Sequence, residues 1–188
     1  ANVIDTEVDE FRDEKAAYDG YRVMPMREAS KLGDIFITVT GNIHVIRVEH
    51  IESMKDGAIL CNSGHFDVEI DYEAISKKAK KVTEIRPMVE QFELHNGRKI
   101  LVLAQGRLVN LSLAEGHPSA VMATSFCGQA LAVEYLVKNR GKLVPSVIFL
   151  PEQIDDSISK LQLEAMEIKC DTLTPEQKEY LASWQHGT

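Results

Sequence analysis

Two apolar runs, each followed by a small residue, a glycine and a polar residue, constrain the fold of this chain more than any other feature. Residues 35–39 read Ile-Phe-Ile-Thr-Val and lead into Thr40-Gly41-Asn42. Residues 57–62 read Gly-Ala-Ile-Leu-Cys-Asn and lead into Ser63-Gly64-His65. Apolar residues at successive positions are typical of parallel strands that helices cover on both faces. The two runs therefore predict two strands of a parallel sheet.

Helices are expected between the strands, which is the pattern of βαβ units. Asp9 is a good N-cap for a helix over residues 10–18, and Asp19-Gly20 ends that helix. Further strands are expected near residues 3–6 and 21–24, and short helices over residues 27–31 and 50–54. The predicted fold class is therefore α/β, with a Rossmann-type parallel sheet.

The second half of the chain has a hairpin pattern followed by helical patterns, in place of alternating strands and helices. Asn96-Gly97 predicts a hairpin turn, with a return strand over residues 100–103. The later residues carry helical patterns, with one helix over residues 118–138, another starting at Pro151 and a third at Thr174. The sequence therefore predicts a first domain over residues 1–115 and a helical C-terminal segment over residues 116–188.

Composition narrows the classes of function. The chain has 21 Lys and Arg against 29 Asp and Glu, a net charge of −8, which disfavours a nucleic-acid partner. No run free of charges and turn formers approaches the roughly 18 residues of a membrane span, so no membrane association is expected. Cys61, Cys127 and Cys170 form no CxxC pair, which favours reduced thiols and a cytoplasmic location.

Glu7 follows the first predicted strand. In a Rossmann unit, an acidic residue there accepts hydrogen bonds from the ribose hydroxyls of NAD and repels the 2′-phosphate of NADP. The glycine-rich GxGxxG fingerprint lies about 20 residues before such an acid, and none occurs in these 188 residues. The alternative is that Glu7 caps the following helix or is simply solvated.

The glycine-containing triplets also have two interpretations. Ligands of open α/β sheets bind beyond the carboxyl ends of the strands, where both triplets are expected to lie. The alternative is that the triplets are ordinary tight turns. No metal site is expected, because neither His65 nor His117 is followed by another histidine or cysteine three or four residues later.

Histidines at two glycine junctions are candidate functional residues. His65 follows Gly64, and His117 follows Gly116 and precedes Pro118. The alternatives are a surface or core histidine in each case and, for His117, a residue that caps the next helix. The other histidines are expected to be surface residues: His44, His50, His95 and His186.

The chain resembles the S-adenosylhomocysteine hydrolase family in several motifs that occur in the same order. The most specific are residues 62–70 (NSGHFDVEI), 106–111 (GRLVNL) and 116–119 (GHPS), supported by residues 6–9, 34–38 and 54–59. The resemblance covers essentially the whole chain. The short ending at residues 186–188 is similar to that of archaeal and thermophilic bacterial members.

This resemblance implies a tightly held NAD that is recycled within each turnover. The family oxidises the 3′-hydroxyl of the substrate ribose, eliminates homocysteine, adds water and reduces the ketone again. The products of S-adenosyl-L-homocysteine are then adenosine and homocysteine. The resemblance also implies a homotetramer or homodimer.

Site residues follow from the resemblance, position by position. Glu7 would hold the adenosine ribose of NAD, and Asn42, Ser63-Gly64-His65 and Asn110 would line the nicotinamide side. The catalytic candidates His65 and His117 would contact the substrate nucleoside. Two positions depart from the family, namely Arg12, where many members have Asn, and Glu115, where many have Met.

Only the C-terminal portion of the family is matched, so an N-terminal half is expected to be required. That half would carry most of the substrate domain, the glycine loop and the central strand of the 3-2-1-4-5-6 sheet. Without the central strand, the first two strands are expected to lack an edge to pair with, and the chain alone is expected to be inactive. The alternatives are a non-catalytic chain that binds NAD and partner subunits, a regulatory relative, or a hydrolase that prefers inosylhomocysteine.

Overall fold

The first two strands form a small sheet of their own. In the computed structural model, which describes residues 1–184, β1 (Ile4–Asp5) pairs in parallel with β2 (Arg22–Val23). The helix α1 (Glu10–Tyr18) connects them, and the Asp9 carboxylate accepts the first free N–H groups of that helix, as predicted. Within residues 1–184 these two strands pair with each other and with no strand of the main sheet, which agrees with the expectation that they lack the central strand as a pairing edge.

The main sheet has five strands and mixes parallel with antiparallel pairing. After the short helix α2 (Met26–Ala29), its strands are β3 (Ile35–Thr38), β4 (Ile59–Asn62), β5 (Lys81–Arg86), β6 (Val89–Glu93) and β7 (Lys99–Leu103). The order is β3-β4-β7-β6-β5, and β4 is parallel to both of its neighbours. The antiparallel strands β5, β6 and β7 extend the sheet, and the predicted Asn96-Gly97 turn joins the last two. The parallel α/β class is confirmed.

Helices cover one side of this sheet. They are α3 (Val48–Ser53) and α4 (Tyr72–Lys78), and α5 (Val109–Ser112) follows β7 after a 3₁₀ turn at Ala104–Gly106. One buried apolar cluster draws on β3, β4, β6, β7 and the helices α3 and α4. Its members include Phe36, Ile51, Met54, Leu60, Ile75, Phe92, Ile100 and Val102. This cluster fixes the strand ends that carry the candidate site.

The other face of β3 is open. Ile35 and Ile37 are each 61% exposed, whereas the alternate residues Phe36 and Thr38 are buried. The sequence predicted a strand covered on both faces. Among residues 1–184 only one face is covered, because alternate side chains of a strand point to opposite sides and the core lies on one of them.

Residues from 117 onward form a second compact unit, separate from residues 1–116. Its helices are α6 (Ser119–Lys138), α7 (Glu152–Ala165) and α8 (Pro175–Ala182), which confirms the three predicted helices. Thr174 and Gln177 form the reciprocal capping box expected at the start of α8. The chain end that includes His186 lies outside the described residues.

By length and composition alone, α6 could cross a membrane, with 20 residues and a mean hydropathy of 1.4. The sequence predicted no segment of this length, but Gly128 lies inside the helix and does not interrupt it. A core helix passes the same test of length and composition. In this structure α6 packs against α7, where a Cβ at Gly128 would contact Ile158, but none of the residues of α6 is buried.

Candidate functional site

A fully buried asparagine organises the carboxyl end of β4. Asn62 Oδ1 accepts hydrogen bonds from the Thr38 hydroxyl (3.0 Å) and the Gly64 amide (2.7 Å). Its Nδ2 donates to the carbonyl oxygens of Phe66 (2.8 Å) and Gly106 (2.9 Å). One side chain therefore joins the end of β3, the turn after β4 and the segment after β7.

A buried glutamate supports the loop after β3. Glu69 is 1% exposed, and its Oε2 accepts hydrogen bonds from the Thr40 amide and hydroxyl, both at 2.9 Å. Its Oε1 accepts the Gly41 amide at 2.8 Å. A Cβ added at Gly64 would overlap Oε1, so the second triplet needs its glycine because the carboxylate approaches the backbone closely. Glu69 therefore lies against both triplets.

The two triplets lie together, at the carboxyl ends of adjacent parallel strands. The Ser63 amide donates to the Thr38 carbonyl at 2.8 Å, which holds the two strand ends side by side. We call residues 40–42 and 63–65 the loop edge. The sequence expectation that both triplets end neighbouring strands is confirmed, and their ligand-binding role stays a prediction.

Polar side chains of the loop edge are accessible. Asn42, Ser63 and His65 are exposed, and the His65 ring contacts the Phe66 ring edge-on with centroids 4.6 Å apart. The Asn42 amide donates to the Thr40 hydroxyl at 3.1 Å, while Asn42 Oδ1 accepts the Ile43 amide at 2.8 Å. The loop edge therefore presents amide, hydroxyl and imidazole groups on a backbone that is held by hydrogen bonds to the buried side chains of Asn62 and Glu69.

Asn110 brings an unsatisfied acceptor to the same end of the sheet. Leu108 pairs in parallel with Asn62, so α5 begins beside the end of β4. Asn110 Oδ1 is buried and has no hydrogen-bond partner among residues 1–184. Because a buried acceptor without a partner is costly, an N–H or O–H group of a ligand would stabilise this position.

Glu7 follows β1 in the small sheet and does not cap α1. Its Oε1 accepts the amides of Val8 (2.8 Å) and Asp9 (3.4 Å), while Oε2 lies 3.9 Å from Arg12 Nη1. Asp9 is the N-cap, so the helix-cap interpretation of Glu7 is wrong. The ribose-binding interpretation stays a prediction.

His117 is exposed and belongs to the second unit. The N-cap of α6 is Pro118, and no side chain makes a capping hydrogen bond there. The alternative that His117 caps this helix is therefore wrong, and its catalytic role stays a prediction.

Three buried polar residues were missed by sequence reasoning. Asn62 and Glu69 were read only as parts of a motif, and His50 was expected at the surface. His50 is 5% exposed, its Nδ1 accepts the Arg47 amide at 3.2 Å, and burial together with the Arg47 charge lowers its pKa. The one available signal was a polar residue at the end of an apolar run, as for Asn62.

Comparison with known proteins identifies a family for this arrangement. Residues 1–116 match the family model described as S-adenosyl-L-homocysteine hydrolase, NAD binding domain. The matched region contains both small and main sheets, the loop edge and Asn110.

Curated relatives match along the whole chain. Adenosylhomocysteinase of Nostoc sp. (strain PCC 7120 / SAG 25.82 / UTEX 2576) is 57% identical over 188 residues, which are all of this chain and 44% of that protein. The adenosylhomocysteinases of Saccharolobus solfataricus and Aquifex aeolicus are each 56% identical over 188 residues, 45% of their length. The chain thus spans less than half the length of these relatives.

Proposed function

Because the chain belongs to the S-adenosyl-L-homocysteine hydrolase family, we propose that it forms the cofactor-holding and C-terminal part of an enzyme that reversibly hydrolyses S-adenosyl-L-homocysteine to adenosine and homocysteine. The proposed course is oxidation at the ribose 3′-position, elimination of homocysteine, addition of water and reduction. The observation that carries the proposal is the loop edge beside the unsatisfied Asn110 acceptor, inside the region that matches the family's NAD-binding domain.

NAD is the cofactor of this family domain, and the residues present fit it. Bound NAD would supply reversible hydride acceptance. Asn110 Oδ1 would accept a hydrogen bond from the carboxamide of the nicotinamide, which removes the cost of a buried acceptor without a partner, roughly 1–3 kcal/mol. The exposed amide of Asn42 and hydroxyl of Ser63 offer further contacts on the same side.

Glu7 would select NAD over NADP. Its Oε1 is engaged by two backbone amides, which fix the carboxylate after β1, and its Oε2 faces outward toward Arg12. A carboxylate so held can accept hydrogen bonds from the ribose hydroxyls and repel a 2′-phosphate.

The catalytic candidates His65 and His117 would contact the substrate nucleoside. Both side chains are exposed, and an imidazole can donate or accept a hydrogen bond to a ribose hydroxyl. His65 lies on a turn in which the Asn62 side chain hydrogen-bonds to the backbone of Gly64, the preceding residue.

A fusion protein tests the proposal. The segment that precedes the matched region in the Nostoc relative is joined to Ala1 of this chain, and adenosine release from S-adenosyl-L-homocysteine is measured with and without added NAD. We expect hydrolysis by the fusion protein and none by the 188-residue chain alone. The same fusion protein with Asn110→Leu keeps a similar side-chain volume and removes the acceptor. We expect it to bind NAD more weakly than the unsubstituted fusion protein does.

Two results would favour the alternatives. A folded fusion protein that binds NAD and releases no adenosine would identify a non-catalytic binding module. Faster release of inosine from S-inosyl-homocysteine than of adenosine would identify a different substrate preference.

Self-association is part of the same proposal. Large apolar side chains of α6 are exposed in this chain, including Val121, Phe126 and Val133. Burial of such side chains against another copy or against the rest of the enzyme would be favourable. Sedimentation of the fusion protein as a dimer or tetramer is the expected result, and a monomer at micromolar concentration would contradict it.

A further inference from the structure

We propose that Glu69 is a positioning residue for the dinucleotide: its buried charge fixes both halves of the loop edge and thereby sets the affinity for NAD. This inference rests on the proposed function, since it assumes that NAD binds at the loop edge. Glu69 itself is 1% exposed and lies beneath the loops, so it acts through them and not by contact with the cofactor.

Within the described residues, all hydrogen bonds to the Glu69 carboxylate come from the loop after β3. Three donors converge on the carboxylate, namely the Thr40 amide, the Thr40 hydroxyl and the Gly41 amide, at 2.8 to 2.9 Å. A buried carboxylate is unfavourable unless such donors hold it, and hydrogen bonds to a charged acceptor are the strong ones. These hydrogen bonds therefore favour the loop conformation in which these groups point at Glu69.

The same contact orients Asn42. The Thr40 hydroxyl has a single proton, which it donates to Glu69 Oε2, so its oxygen is left to accept the Asn42 amide. The resulting chain of hydrogen bonds runs from Asn42 through Thr40 to Glu69. Loss of the carboxylate would free the Thr40 hydroxyl to rotate and release Asn42.

The second half of the loop edge is held by packing. Glu69 Oε1 occupies the space where a Cβ of residue 64 would lie, and the Gly64 amide is tied to Asn62 Oδ1 on the other side. The backbone of Glu69 is anchored as well, because its carbonyl accepts the Ile46 amide at 3.0 Å. Movement of Glu69 would therefore disturb both loops together.

Glu69→Gln is the informative variant, because it keeps the shape and removes the charge. The donors approach both carboxylate oxygens, so the amide nitrogen of Gln must face an N–H or O–H donor in either orientation. The control is Glu90→Gln. Glu90 is a partly buried carboxylate on β6 whose hydrogen bonds, among residues 1–184, come from Tyr72 and Gln105 and not from the loop edge.

Two measurements on the fusion protein test the positioning role of Glu69. The first is NAD affinity by calorimetry, where we expect Glu69→Gln to raise the dissociation constant at least ~10-fold and Glu90→Gln to change it less than ~2-fold. The second is hydrogen exchange without NAD, where Glu69→Gln should speed exchange of the Thr40 and Gly41 amides and leave the β6 amides unchanged.

The outcomes separate this inference from the proposed function. Failure of the unsubstituted fusion protein to bind NAD overturns both. Normal binding by the parent together with unchanged affinity in Glu69→Gln overturns the positioning role alone. Equal losses of NAD affinity in Glu69→Gln and Glu90→Gln, in step with melting temperature, would make Glu69 a stability residue only and also overturn it.

Discussion

The Asn62 side-chain nitrogen donates a hydrogen bond of 2.9 Å to the Gly106 carbonyl oxygen, across 44 residues of sequence. This bond joins the turn after β4 to the segment that leads into α5. Since Asn110 lies on α5, the position of its unsatisfied oxygen relative to the loop edge depends on Asn62.

Asn62→Ala should therefore weaken both stability and NAD binding. The substitution leaves buried donors and acceptors of Thr38, Gly64 and Gly106 unpaired, each at a cost of about 1–3 kcal/mol. We expect the melting temperature of the fusion protein to fall by at least ~4 °C. Asn96→Ala in the exposed hairpin turn is the control. An equal fall in melting temperature in both variants would contradict a particular contribution of the buried Asn62 hydrogen bonds to stability.

Glu7→Gln should loosen the preference for NAD over NADP. Loss of a charged acceptor for the ribose hydroxyls corresponds to about a 10- to 100-fold loss of NAD affinity. Arg12, 3.9 Å from Glu7, would then be free to face a 2′-phosphate, so NADP affinity should fall less or rise. Calorimetric titration with both nucleotides measures the ratio. Glu10→Gln, on the exposed first turn of α1, is the control, and an unchanged ratio in Glu7→Gln would leave Glu7 without a role in cofactor choice.

His117→Asn should lower turnover without lowering stability. The side chain makes no capping hydrogen bond to α6, so its replacement leaves the helix start intact. Asn is shorter than His and cannot reach as far as imidazole does, and we expect turnover of the fusion protein to drop at least ~10-fold with NAD content preserved. His95→Asn, exposed in the hairpin, is the control. Activity that declines only in parallel with melting temperature would argue against a substrate contact.

Stability should fall in mild acid through His50. Burial lowers the pKa of His50, so the folded state favours the neutral imidazole and the unfolded state binds the proton more readily. This contribution to stability is complete above the ordinary histidine pKa of about 6.5 and is lost as the pH falls from there toward the folded-state value. Melting temperatures of the fusion protein and of His50→Asn between about pH 7.5 and 5 test this, and His95→Asn is the control. Parallel curves for all three proteins would rule out His50 as the source.

Local patterns were sufficient to predict most elements of this chain. The Asp9 cap of α1, the Asn96-Gly97 turn, the Thr174 capping box and the apolar runs of β3 and β4 were all read correctly from sequence. Each depends on contacts between residues a few positions apart, or on the alternation of side chains along one element, and such information is written in short segments of sequence. Motif resemblance likewise identified the family, because the specific residues are contiguous.

Only the tertiary structure decided which buried polar side chains hydrogen-bond to the loop edge. Glu69 contacts Thr40 and Gly41 across 28 or 29 residues, and Asn62 contacts Gly106 across 44, so no local pattern identifies these partners. The burial of His50 and the open face of β3 depend in the same way on which elements pack together. Sequence determines the strands and the loops that follow them, whereas long-range packing determines which carboxylate or amide lies beneath those loops, because a buried polar group is stable only where distant parts of the chain supply its partners.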